Sequence, residues 1–383
     1  DTYAQALILA HQLDERLLRG RTNNSLGNLL TLKGEYEQAL PYLNKASEYF
    51  KAIDDHRGIS KFNGMMGSWH FRQGGYEEAK KYFTESIRLF RILPYRSANA
   101  QIVATLGLTH MNQGNYDEGI KVLTDELGIC SEANDQQALA TLNTNLGIIY
   151  FEKGDYDAAL ECYQKGLELS EELGNLQLTA IAIGCIGSVY QRKGDYEQAM
   201  QHFIRDLELC EKIGDKQGTA ITIGLIGELR SVEGEFEVAV HYLQRNLELC
   251  EELGYQKGIA KSLNTLGDIY TYTGDYKKAV RYYDDAIDIS RKIDNRLVLG
   301  YSLVEKSTAL ILDGRPEAVE DIHLEALGIA EALGNPDLLF EAQLLAAKIY
   351  YLSGQEKAAV DQLKQLLENV RNPKESADVH YTL

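Results

Sequence analysis

From Asn145 to Leu160 the apolar positions Leu146, Ile148, Ile149, Tyr150 and Phe151 run into a polar stretch, Glu152-Lys153-Gly154-Asp155. Apolar positions then resume at Tyr156, Ala158, Ala159 and Leu160. The pattern predicts the end of one helix, a tight turn and the start of another. It also returns. Gly154 has counterparts at Gly34, Gly74, Gly114, Gly194, Gly234, Gly274, Gly314 and Gly354, so nine glycines stand 40 residues apart. A fixed period of that size is the signature of a solenoid, whose core grows with each added unit. Each unit is expected to hold a first helix, A, and a second helix, B. Residues 1–13 match the second half of a unit, with Asp1–Leu13 aligning on Glu161–Leu173. Nine helix pairs are expected over residues 14–371, and the tail at 372–383 carries no clear pattern.

Both turns of the unit have a mechanism. The periodic glycine can take the left-handed conformation that stops helix A. Asn115, Asp155, Asp195 and Asp275 follow it and can cap helix B. Between units the stops are Asp54, Pro94, Asn134, Gly174, Gly214, Gly254, Asp294 and Gly334, residue types that tolerate a left-handed stop except at Pro94. Asp55, Asp135, Asn175, Asp215, Asn295 and Asn335 then suit the N-cap of the next helix A. Pro94 marks Leu93–Arg96 as the place for a local irregularity. A second glycine series, Gly27, Gly67, Gly107, Gly147, Gly187, Gly227 and Gly267, lies inside helix A, where glycine costs about 1 kcal/mol relative to alanine. Something must approach there. The alanines twelve residues after the glycine position (Ala39, Ala79, Ala159, Ala199, Ala239, Ala279 and Ala359) are the expected contact. In the eighth unit Ser307 replaces the glycine, and Pro316 falls at the first turn of helix B, where proline is tolerated.

Charge modifies this picture. The net charge is −18, with residues 1–120 at +1 and residues 121–383 at −19. An acidic surface of this kind argues against nucleic acid or an anionic membrane as partner. The five cysteines, Cys130, Cys162, Cys185, Cys210 and Cys250, show no metal-ligand spacing. Cys130, Cys210 and Cys250 share a repeat position with Ser170, Ser290 and Ala330, which reads as a small buried site. Free thiols point to a reducing, cytoplasmic setting. No apolar run has transmembrane length. The chain begins at an aspartate in mid-helix without an initiator methionine, and is expected to be a piece of a longer protein.

Leu146-Gly147, Tyr150, Ala159 and Tyr163, repeated as Leu266-Gly267, Tyr270, Ala279 and Tyr283 and as Ile186-Gly187, Tyr190, Ala199 and Phe203, resemble the tetratricopeptide repeat (TPR). The usual unit has 34 residues and tends to end in proline; the longer unit here looks like the 40-residue kind of Pins/LGN scaffolds, kinesin light chains and bacterial signalling-receptor sensor regions. The resemblance implies an all-α, right-handed solenoid of antiparallel helix pairs that binds peptides or partner segments on its concave face. Carried over from the Gly147 register, its groove positions are Asn24, Asn28 and Thr31; Lys61, Ser68 and Phe71; Gln101, Leu108 and Met111; Thr144, Ile148 and Phe151; Gly184, Ser188 and Gln191; Gly224, Glu228 and Ser231; and Lys261, Asn264, Asp268 and Thr271. Phe71, Leu108, Met111, Ile148 and Phe151 would form an apolar strip, either as core flank or as an anchor site. Gly184 and Gly224 would leave the wall bare, and Glu228 and Asp268 would add negative charge. A protein or peptide ligand with apolar anchors and a basic end fits that gradient. The family's two-carboxylate clamp is matched only in part by Asn24, Asn28 and Lys61.

No phosphate loop, HExxH or CxxC motif occurs. His70 and His110 hold one position in consecutive units, as a metal pair or as substitutes for Tyr150 and Tyr190. Nothing pairs a nucleophile with a base. The expectation is a non-catalytic protein-binding scaffold without metal or cofactor. Its alternative is the sensing arm of a larger bacterial signalling protein, or of an enzyme whose catalytic domain lies elsewhere.

Overall fold

The computed structural model describes residues 16–32, 34–73, 75–92 and 100–368, together with residues 379 and 382. The leading half-unit at 1–13, the segment around Pro94, Gly74 and most of the tail lie outside the described residues. Among the described residues there are eighteen α-helices and no strand. The first helices are α1 (Arg16–Leu32), α3 (His56–Arg72), α5 (Ala100–Asn112), α7 (Gln136–Lys153), α9 (Leu176–Arg192), α11 (Lys216–Val232), α13 (Gln256–Tyr272), α15 (Arg296–Leu312) and α17 (Pro336–Leu352). The second helices are α2 (Tyr36–Ala52), α4 (Tyr76–Arg91), α6 (Tyr116–Glu132), α8 (Tyr156–Glu172), α10 (Tyr196–Ile213), α12 (Phe236–Leu253), α14 (Tyr276–Lys292), α16 (Glu320–Leu333) and α18 (Glu356–Glu368). The fold is an all-α solenoid of antiparallel helix pairs.

The chain divides into two compact units, residues 1–150 with 157–178, and residues 151–156 with 179–383. In the first, α1 packs on α2, α3 on α4 and α5 on α6, and the first helices α1, α3 and α5 also touch in succession. In the second, α11 to α18 pack in the same alternation, with α11, α13, α15 and α17 touching in succession.

The helix-A glycines admit a large side chain rather than the expected alanine. A Cβ on Gly147 would lie 2.6 Å from Cδ1 and Cε1 of Tyr163; on Gly67, 2.6 Å from Phe83; on Gly187, 2.7 Å from Phe203; on Gly267, 2.5 Å from Tyr283. The side chain that fills the site stands sixteen residues on. Tyr163, Tyr283, Phe83 and Phe203 are among the largest fully buried side chains, and burying each stabilises the fold by roughly 1.5–3 kcal/mol. The alanine register comes near through its backbone: the Ala39 carbonyl oxygen is 3.3 Å from the Cβ position of Gly27.

The turns follow the sequence closely. The periodic glycines among the described residues have positive φ, as at Gly114 (78°) and Gly154 (84°). Between units Asp54, Asn134 and Asp294 are left-handed despite carrying side chains, at 54°, 52° and 52°. Asp195, Asp215, Asp275, Asn295 and Asn335 accept a hydrogen bond from a backbone N–H of the helix they open, a cap worth about 1 kcal/mol. Asp55 and Asn115 occupy equivalent positions but make no such bond. Pro316 opens helix B through a single 3₁₀ turn, Pro316–Ala318, before α16 begins.

Two glycine substitutions test the close contact. Gly147→Ala gains helix propensity but drives a methyl into Tyr163, and overpacking of this kind costs about 1–3 kcal/mol. Gly128 lies in α6 with nothing within 4 Å of the place an added Cβ would take, so Gly128→Ala gains about 0.5–1 kcal/mol. In urea denaturation the first variant should unfold at lower denaturant than the wild type and the second at higher. A rise for both would remove the contact as the reason for glycine.

Candidate functional site

Along helix A, the residues ten, six and three before the glycine and one and five after it share one face at helical spacing. On α13 these are Lys257, Lys261, Asn264, Asp268 and Tyr272. The structure sorts the expected groove residues along this face. Asn28, Ser188, Gln191, Glu228 and Asp268 are half-buried, and Lys61 and Lys261 are exposed. Asn24 and Thr144 are buried and leave the groove set; the Thr144 hydroxyl donates to the Ala140 carbonyl. Thr31 and Ser231 are buried as well. Asn264 is half-buried, and its Oδ1 has no hydrogen-bond partner among the described residues. Phe71, Leu108 and Met111 are half-buried and pack on the core of the first unit, so the strip is in part core flank. Ile148 is likewise half-buried.

The bare wall expected at Gly184 and Gly224 is absent. A Cβ on Gly184 would meet the Asp206 carboxylate at 2.6 Å, and one on Gly224 the Asn246 amide at 3.2 Å. The rule is complementary size. At Thr144, where helix A carries the larger side chain, the facing helix-B residue is Gly166. The polar side chains then reach the next unit. Asp206 Oδ2 accepts from Thr222 Oγ1 at 2.6 Å, and Asn246 Oδ1 accepts from Ser262 Oγ at 2.5 Å. These positions tie the stack together and are closed to a ligand. Burial pushes the Asp206 carboxyl up from its ordinary range, with Thr222 and Cys210 pulling it back.

The expected acidic end is also engaged. Glu228 pairs with Lys261 at 3.7 Å, and the Tyr283 hydroxyl donates to Asp268 at 2.8 Å.

The second unit gathers a set of charged groups that the family register alone does not give. Arg192 Nη1 lies 3.3 Å from Asp337 Oδ2, and its guanidinium sits 5.9 Å from the centre of the Phe151 ring. Phe151 in turn packs on Tyr156, ring centres 5.6 Å apart. Asn335 Nδ2 donates to Glu152 Oε2 at 3.3 Å, while its Oδ1 caps α17 and accepts from the Tyr301 hydroxyl at 3.4 Å. Glu152 and Asn335 are 183 residues apart in sequence. Burial pushes the Glu152 carboxyl up, opposed by Arg192 and Lys257. Enclosure pulls the Lys257 amine down, Lys261 adds to this by repulsion, and Glu152 opposes it. Protein surrounds these groups on several sides, yet they still reach water: the Arg192 side chain keeps 47% of its exposure. An ion pair so hydrated contributes under about 1 kcal/mol to stability. Of these residues the sequence pattern pointed only to Phe151 and Lys261.

The cysteine position behaves as a small buried site. Burial lifts Cys130 and Cys250 to about 11 and Cys210 to about 12, so these thiols stay protonated. His70 stacks on Tyr82 at 5.3 Å as Tyr190 stacks on His202 at 5.4 Å, which makes His70 a substitute for the repeat tyrosine. Among the described residues no helix is long and apolar enough to cross a membrane.

Comparison with known proteins adds to this geometry. The family model of the MalT-like TPR region matches residues 88–369, and that of the tetratricopeptide repeat matches residues 2–92. No curated protein matches the chain. Among solved structures, a Rap protein complexed with competence and sporulation factor is similar at a TM-score of 0.64 and 13% identity, covering 95% of this chain and 99% of that one. The Rap conjugation gene regulator of plasmid pLS20, complexed with the Phr* peptide, is similar at 0.61 and 12%, covering 82% and 96%. A signal transduction ATPase with numerous domains from Pyrococcus horikoshii, with a tetratricopeptide repeat sensor, is similar at 0.54 and 17%, covering 92% and 52%. At these identities the likeness is one of fold.

Asp206 offers a pH test of the polar tie. Its raised folded-state pKa gives stability that is present below the ordinary carboxylate range and lost as pH rises through the folded value. Asp206→Asn, which copies Asn246, should therefore melt higher than the wild type at about pH 8 and equal it at about pH 3. A lower melting point at the alkaline end would show that the ionised carboxylate is favoured in the fold.

Proposed function

Because the chain belongs to the tetratricopeptide repeat family, we propose that it binds a peptide or a partner segment along the inner faces of its first helices, without catalysis. The observation that carries this reading is the gathering of Phe151, Arg192, Lys257, Lys261 and Asp337 in the second unit, where charged groups are walled in but hydrated. Such groups exchange water and internal partners for a ligand's groups at modest cost. The Phe151 ring supplies an apolar anchor point. A basic ligand residue can replace Lys261 at Glu228, and acidic or main-chain carbonyl groups can engage Lys257 and Lys261. Asn28, Lys61, Ser188, Gln191, Asn264 and Asp268 provide further polar positions. The peptide and protein ligands named for the similar Rap structures agree with this reading. None of the five cysteines is in a disulfide, which accords with a reducing, cytoplasmic setting.

A second reading makes the chain the sensing arm of a larger signalling protein. The bond between Asn335 and Glu152 favours it, since a ligand that competes for either residue alters how distant helices are held. The sensor role named for the Pyrococcus structure is in keeping.

Peptides selected from a random phage-displayed library against the whole chain provide the test. Calorimetric titration should show binding weakened about tenfold or more by Phe151→Ala and by the double reversal Glu228→Lys/Asp268→Lys. Glu248→Lys, on the exposed side of α12, should leave it unchanged. Loss of binding only with Glu248→Lys would move the interface to the second helices.

A further inference from the structure

Part of the site in the second unit is occupied by the chain itself. Arg192 closes α9, and Asp337 stands at the start of α17 four helix pairs later, yet their side chains meet. Beside them Asn335, which caps α17, donates to Glu152. A solenoid holds each repeat against its neighbours, so the repeat packing does not account for contacts that skip three units or more. Both contacts come from one short stretch, Asn335-Pro336-Asp337, the cap and first turn of α17. Pro336 stands between the two side chains, and its fixed φ holds the backbone that presents them.

The contact has the chemistry of ligand recognition but not its best geometry. A guanidinium binds a carboxylate most strongly through two parallel N–H···O bonds of about 2.7–2.9 Å. Arg192 meets Asp337 at 3.3 Å, outside that range. The Arg192 side chain keeps 47% of its exposure, so a carboxylate from outside has access to it, while Asp337 keeps 23%. The Phe151 ring flanks the guanidinium and limits how it turns. A second positive charge is near. Lys257 lies close enough to Glu152 for each to affect the other's ionisation, and it has no hydrogen bond or ion pair among the described residues. The surrounding charge also limits the incoming group. Residues 121–383 carry a net −19, which repels a doubly charged phosphate more than a singly charged carboxylate.

We propose that Asp337 is an internal stand-in for the ligand: a carboxylate of the bound peptide displaces it from Arg192, and until then the site is occupied from within. This rests on the peptide-binding reading above and adds to it the group that is recognised and the contact that must yield. An ion pair as hydrated as Arg192–Asp337 is weak, so it competes with a ligand without excluding it. A peptide carboxylate is free to turn into the two-bonded arrangement that Asp337, fixed on α17, does not reach. Its source is an aspartate or glutamate side chain or the peptide's C-terminus.

The probe is a peptide selected from a random phage-displayed library against the whole chain, then synthesised for calorimetric titration. Asp337→Ala removes the competitor and should tighten binding about two- to fivefold, the range for losing a hydrated ion pair. Arg192→Gln should weaken binding about tenfold or more. In the Arg192→Gln background Asp337→Ala should change nothing, since the two act through one contact. Asp337→Asn keeps the shape of the side chain and should also tighten binding, which covers the case in which the alanine variant disturbs α17. Replacing the acidic residues of the peptide by their amides, or amidating its C-terminus, separates the two sources of the carboxylate. One of these changes should abolish the tightening by Asp337→Ala. Unchanged or weaker binding in both Asp337 variants would overturn the inference and leave peptide binding in place. So would tightening that persists in Arg192→Gln or with a peptide stripped of every carboxylate. Peptides indifferent to Phe151→Ala, Arg192→Gln and both Asp337 variants would overturn the inference and the reading beneath it together.

Discussion

Everything in the fold rests on the place where a large buried side chain of helix B closes over a glycine of helix A. Tyr163 on Gly147, Phe203 on Gly187 and Tyr283 on Gly267 are copies of one contact. The glycine lets the helices approach, and the ring provides the buried area that holds them there. The contact explains why a residue unfavourable in a helix recurs inside α1, α3, α5, α7, α9, α11 and α13. The turns depend on it in a second sense. Gly154 and its counterparts reverse the chain so that the residue sixteen positions on arrives over the glycine. Once two helices are fixed in this way, the position of every other side chain on the unit follows.

A second layer of the structure lies in how copies differ without breaking that frame. Beside the glycine contact, helix A and helix B share a fixed volume. Thr144 faces Gly166, Gly184 faces Asp206, and Gly224 faces Asn246. Where the helix-B member is polar it reaches on to Thr222 or Ser262 of the next unit, and so converts local variation into a link between neighbours. A buried carboxylate at Asp206 is the costly version of this link, and the amide at Asn246 is the neutral one. Under the proposed function, ligand recognition falls to residues that neither fill this volume nor make this link.

That division explains what could be read from the sequence. The helices, their turns and their 40-residue period were legible because each depends on local chemistry repeated many times. Gly154 turns the chain as Gly114 does, and Asp195 and Asn335 cap their helices as Asp215, Asp275 and Asn295 do. Some of the expected groove residues do stay clear of the core: Phe151, Glu228 and Asp268 are half-buried and Lys261 is exposed. Asn24 and Thr144 did not belong there, because three residues before the glycine is a packing position in their units, as Asp206 reveals by filling the space at Gly184, whereas Asn264 at that position is only half-buried. Glu152, Arg192, Lys257, Tyr301 and Asp337 were missed for a different reason. Their meeting comes from small rotations accumulated over several repeats, and no local pattern records it. The spacing did hold one signal, since Lys257 and Lys261 stand one turn apart on the same helix face.

The central claim is that the variable residues of the first helices, rather than the repeated ones, receive the ligand. Hydrogen–deuterium exchange of the whole chain, with and without a peptide selected for binding to it, tests that claim most directly. The account predicts slowed exchange confined to the inner segments of the first helices, around residues 188–193, 228–233 and 257–272 in the second unit. Slowed exchange confined to the second helices, α10, α12 and α14, would contradict it.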